Sequence, residues 1–132
     1  MKKTRLVLFC SILLSSLVLF SCQIVEEDNL LFQLKDNLRA AGTWQSGIGS
    51  NLFKFETGGL FTASIGGAEG NGSFRYSEDT FSSTRVGIFS LYWKKNQIDP
   101  TKVNSNQYFD VYKRSNGDLY FTFSSQIYIQ TQ

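Results

Sequence analysis

From Gly42 to the C-terminus, apolar and polar positions alternate with a period of two. Phe53 and Phe55 alternate with Lys54 and Glu56, Phe61, Ala63 and Ile65 alternate with Thr62 and Ser64, and Phe74 and Tyr76 flank Arg75. Phe109 and Val111 alternate with Tyr108, Asp110 and Tyr112, and Leu119, Phe121 and Phe123 alternate with Tyr120 and Thr122. Successive side chains on a strand point to opposite faces, so this is the pattern of strands with one apolar face. Val86 to Trp93 is apolar on both faces and reads as a central or doubly covered strand. Thr57-Gly58-Gly59, Asn71-Gly72 and Asn116-Gly117-Asp118 accept positive φ and read as hairpin turns. Gly66 to Gly70 reads as a loop or bulge. The single proline, Pro100, falls in the longest polar connection, Lys94 to Gln107, where its missing N–H removes no ladder bond. These segments predict about eight antiparallel strands, near 43–47, 51–57, 60–66, 72–78, 80–84, 86–94, 107–114 and 119–130. The last has a candidate break at Ser124-Ser125. Short strands at this spacing predict an all-β barrel or sandwich in one domain, residues 42–132.

The pattern before Gly42 is different. Leu30, Leu31, Leu34 and Leu38 recur at helical spacing, with Lys35, Asp36 and Arg39 between them. Asp28 or Asn29 is placed to cap the N-terminus, and Gly42 to end the helix. Residues 22–41 are therefore expected to form a tether with a short helix that leads into the barrel.

Further upstream, Met1-Lys2-Lys3-Thr4-Arg5 is basic, Leu6 to Phe20 is predominantly apolar, and Ser21-Cys22 follows. That is the order of a secretory leader over residues 1–21. The apolar run is shorter than the roughly 20 residues a spanning helix needs. Leu19-Phe20-Ser21-Cys22 resembles the lipobox of bacterial lipoproteins, with Phe20 bulkier than the residue usual there. The resemblance implies cleavage before Cys22, acyl chains such as palmitate on that cysteine, and attachment to a membrane of the bacterial cell envelope. Gln23, rather than Asp, follows the cysteine. In the enterobacterial sorting scheme this resembles delivery to the outer membrane.

Loss of the leader alters the charge and thiol content. Lys2, Lys3 and Arg5 leave with it, so the formal +2 of the whole chain becomes a slight acidic excess. Nucleic-acid binding, which needs a clustered basic face, is not expected. Cys10 also leaves, and Cys22 carries the lipid, so the domain has no disulfide to stabilise it. Its stability is expected from packing, for which 12 Phe, 6 Tyr and 2 Trp are available.

The chain contains no histidine, which removes the commonest general base and transition-metal ligand. Without a thiol in the domain, Cys/His zinc sites and cysteine nucleophiles are also excluded. No Ser-x-x-Lys arrangement, P-loop or facing carboxylate pair is present. The expectation is a non-enzymatic protein with no cofactor and no metal site.

Gly42-Thr43-Trp44 follows a helical lead-in and opens the first strand, a placement similar to the G-x-W motif of lipocalins and related calycins. Phe53 to Phe61 and Gly72 to Tyr76 also resemble small bacterial lipocalin-like lipoproteins. The resemblance implies an eight-stranded lipocalin-like antiparallel barrel over 42–132 that binds a small apolar ligand or an envelope partner. It also implies structural roles for Gly42 and Arg114, with Trp44 at the closed end under Arg114. Trp44, Tyr92, Trp93 and Tyr112 are the candidate ligand-binding residues. The chain lacks the lipocalin disulfide and is shorter than most of that family, so its rings could instead fill the interior. It would then be a surface interaction protein (an adhesin, inhibitor or assembly factor) that meets envelope or host proteins through an outer strand face. Tyr108, Asp110 and Tyr112 share one such face, where tyrosines serve either recognition or cross-strand pairing.

Overall fold

The computed structural model describes residues 33–78 and 82–131. The leader, Cys22, and the first part of the expected helix with Leu30 and Leu31 lie outside the described residues. Residues 33–40 are helical (α1). The strands are β1 Gly42–Ser46, β2 Leu52–Phe55, β3 Leu60–Ile65, β4 Ala68–Glu78, β5 Arg85–Asn96, β6 Asn106–Lys113, β7 Leu119–Phe123 and β8 Gln126–Thr131. Each pairs antiparallel with the next, and β8 pairs back onto β1 from Thr43↔Thr131 to Ser46↔Tyr128, which closes the barrel.

Alternation decides which side chains enter the barrel. Phe53, Phe55, Phe61, Ala63, Phe74, Tyr76, Phe121 and Phe123 are buried, as the period-two reading expects. Trp44, Phe89, Leu91, Trp93, Val111 and Tyr128 complete this core. The rings are in direct contact. Phe55 stacks on Phe89 at 4.5 Å between centroids, and Phe61 meets Trp93 edge-on at 4.9 Å. A small barrel has an interior just wide enough for side chains to fill.

Three local readings are corrected. Asn71-Gly72 is not a turn; both residues lie inside β4 at a register shift against β5. A Cβ on Gly72 would sit 1.8 Å from the Tyr92 carbonyl oxygen, so this glycine serves close backbone approach. The turn before β4 is at Gly66-Gly67. Residues 82–84, expected at the end of a strand, form a bend. The candidate break at Ser124-Ser125 is where the segment 119–130 divides into β7 and β8, the two serines taking φ of 48° and 62°. β5 is buried on one face only: Phe89, Leu91 and Trp93 point inward, while Ile88, Ser90 and Tyr92 are half-buried outside.

The helix also docks differently from its leucine pattern. Leu34 and Leu38 are 43% and 58% exposed, whereas Asn37 and Ala40 are buried. Ala40 accepts a hydrogen bond from Trp44 Nε1 at 2.9 Å. Asn37 Oδ1 accepts from the Tyr76 backbone N–H at 2.9 Å and from Gln33 Nε2 at 3.2 Å. The barrel end therefore presents buried polar groups to the helix. An unpaired buried N–H is costly, so an asparagine is held there and the leucines are left outside.

Candidate functional site

The four candidate ligand residues do not converge. Trp44 and Trp93 are fully buried. Trp44 packs edge-on against Phe89 and Phe121 at 5.2 and 5.5 Å. Trp93 contacts Phe53, Phe61 and Phe123, and its Nε1 donates to Gln107 Oε1 at 2.8 Å. Both rings are parts of the packed core. Tyr92 and Tyr112 lie on the outer face of β5 and β6, with the sheet between them and the core.

Arg114 does not cover Trp44. It follows β6, and its guanidinium carbon lies 5.4 Å from the centre of the Tyr120 ring. Tyr120 stacks with Tyr112 at 5.5 Å across the β6–β7 pair. Arg114, Tyr120 and Tyr112 thus form an outer cation–π and aromatic ladder that ties two strands together. Gly42 takes φ +118°, a left-handed value that lets the chain turn from the helix into β1.

The end of the barrel opposite α1 carries a cluster of side-chain amides and hydroxyls. Gln126 Oε1 accepts from Asn51 Nδ2 at 2.9 Å, from Ser46 Oγ at 3.2 Å and from the Tyr128 hydroxyl at 3.4 Å. This arrangement places a polar hydrogen-bonded cluster at that end of the ring-filled core. Sequence reasoning missed it, because isolated Asn, Gln and Ser carry no motif and are brought together only by closure of β1 onto β8.

The outer face of β4, β5 and β6 has a different character. Ser73, Arg75, Ser90, Tyr92, Asn106 and Tyr108 line an open groove of about 380 Å³. Ser73 pairs with Tyr92, Arg75 with Ser90, Ser90 with Tyr108, and Tyr92 with Asn106, so the groove follows directly from register. Tyr108 is 70% exposed. Beside it, Arg85 reaches Asp110 at 3.4 Å. Hydroxyls, an amide, an arginine and two tyrosines on a rigid sheet suit polar and aromatic recognition. Among the described residues, no group of three or more His, Cys, Asp or Glu could hold a metal ion.

Compared with models of protein families, with curated proteins and with solved structures, the chain finds no match.

Proposed function

We propose that the chain is a lipid-anchored, non-enzymatic binding module of the bacterial cell envelope. Cys22 carries the acyl chains at the outer membrane, and the barrel engages an envelope or host protein on the outer face of β4–β6. The observation that carries this reading is the contrast between inside and outside. Aromatic rings fill the interior, whereas Tyr108 and its neighbours form an exposed groove on a rigid wall. A lipocalin-like role with a small apolar ligand is supported by the closed eight-stranded barrel. It would require such a ligand to displace rings that already pack on one another.

The test uses the whole chain expressed in a bacterial host. Wild type should incorporate labelled palmitate and partition into detergent, and Cys22→Ala should do neither. A Cys22→Ala protein that partitions like wild type would overturn the anchor. Pull-downs against envelope and host proteins should then lose their specific partner in Tyr108→Ala and keep it in Ile127→Ala, an exposed control on β8. Identical capture by both variants would exclude the tyrosine face.

A further inference from the structure

Helix α1 closes only part of its end of the barrel. It docks near β1 and β4, through Ala40 on Trp44 and Asn37 on the Tyr76 N–H. Toward β5–β8 the inward-facing positions change character. Two residues beyond Val111, Phe121 and Tyr128 in the direction of this end, the inward alternation reaches Lys113, Leu119 and Gln130. These residues, with Tyr76 and Val86, bound a solvent-open pocket of about 410 Å³ that has Arg39 and Glu78 at its rim. Its size lies within the range of roughly 300–1,000 Å³ for small-molecule sites.

The lining is amphipathic. Val86 and Leu119, both half-buried, supply apolar surface, with the almost fully buried Tyr76 behind them. Arg39 is ion-paired with Glu78, so their charges largely offset each other. Gln130 is fixed in place, its Nε2 donating to the carbonyls of Arg39 and Ala41 at 2.9 and 3.0 Å. Lys113 makes no ion pair among the described residues. Lys113 is exposed at the end of β6 on the wall of this pocket, and its ammonium, without a carboxylate partner, can pair with one negative charge. With the Arg39 and Glu78 charges offset, Lys113 is left to balance a single negative charge.

We infer that this pocket binds a monocarboxylate amphiphile, with its carboxylate on Lys113 and its short apolar body against Val86 and Leu119. The site is at the helix end of the barrel, separate from the outer β4–β6 groove, and does not depend on the function proposed for that face.

Octanoate is the probe, titrated into the whole chain carrying Cys22→Ala and followed through the backbone amide resonances of Gly117, Leu119 and Gln130. These should shift saturably. 1-Octanol, which has the same chain length and no charge, should bind about tenfold more weakly or worse, and Lys113→Met should weaken octanoate by a similar factor. Lys113→Arg should retain binding, which separates loss of charge from damage to the fold. Equal affinity for octanoate and octanol, unchanged octanoate affinity in Lys113→Met, or the absence of saturable shifts at this end would each overturn the assignment.

Discussion

At the scale of single residues, Asn37 and Tyr76 decide how the helix is held. The Tyr76 backbone N–H is buried and finds its acceptor in Asn37 Oδ1. Asn37→Ala leaves that donor unsatisfied and should cost about 1–3 kcal/mol. Leu38→Ala removes an exposed side chain and should stay within about 0.5 kcal/mol. Urea denaturation of both variants checks this, and a larger loss for Leu38→Ala would mean that the leucine face is the docked one. The helical spacing of the leucines made the helix itself legible, but spacing cannot report that the surface awaiting it carries an unpaired N–H. The Tyr76 hydroxyl has a second consequence. Burial, reinforced by Asp36 and opposed by Arg39, raises its pKa above the ordinary value, and burial also raises that of Tyr128. The fold therefore favours the neutral phenols. Their contribution is fully present below the unfolded value of about 10 and is lost as pH rises through the folded one. Tyr76→Phe should lose less stability than wild type between about pH 9 and pH 11, measured as the change in denaturation midpoint. Equal losses would show that Tyr76 does not titrate with unfolding.

At the scale of elements, the period-two alternation was sufficient for the strands and their inward faces, because a closed barrel buries one side of every strand. Turn chemistry was less reliable. Asn71-Gly72 carries a strong hairpin signal, yet Gly72 lies mid-strand because the β5 backbone passes so close that no Cβ fits. Ser124-Ser125 carries a weak signal and is the β7–β8 turn, both residues held at positive φ by the strands on either side. A glycine in a strand is a tertiary outcome, invisible to local composition, whereas the serine pair was legible as a break but not as a turn at positive φ. Gly72→Ala should therefore destabilise the barrel by about 1–3 kcal/mol or more, since the obstruction is the Tyr92 main chain and not a side chain that swings aside. Gly117→Ala is the comparison. Its Cβ would meet nothing, and only its positive φ of 95° penalises the change. Thermal melts in which Gly72→Ala is the milder of the two would contradict the close-approach account. The candidate site followed the same division. Alternation placed Tyr108 and Tyr112 outside, whereas the groove beside Tyr108 depends on the β4–β5–β6 register, which follows from the bulges at Asn71/Gly72 and Arg85/Gly87.

At the scale of the whole molecule, the barrel is not held equally around its circumference. β5 and β6 pair from Arg85↔Tyr112 to Tyr92↔Asn106, but β6 and β7 pair only at Tyr112↔Tyr120 and Lys113↔Leu119. Beyond those two pairs the seam is closed by side chains. Phe109 contacts Phe121 and Phe123 at 6.0 and 5.5 Å inside, while the Tyr112–Tyr120 stack and Arg114 brace its paired end outside. Ring contacts resist separation of the strands without satisfying backbone groups, so this seam should be the first to admit water. The alternation of hydrogen-bonding direction makes the expectation specific. The Lys113 N–H donates to Thr84 on the β5 side, which places the Phe109 and Val111 amides toward β5 and those of Tyr108 and Asp110 toward β7. Native-state hydrogen exchange should therefore separate neighbours on one strand, with Tyr108 and Asp110 exchanging faster than Phe109 and Val111. Uniform protection along β6 would mean that the β6–β7 ladder is complete in solution. If instead the split is observed and vanishes in Phe109→Ala, with all four amides exchanging rapidly, the aromatic contacts inside the barrel are what keep the seam shut. A filled interior then has a second role in this small domain: it closes the wall where the backbone does not.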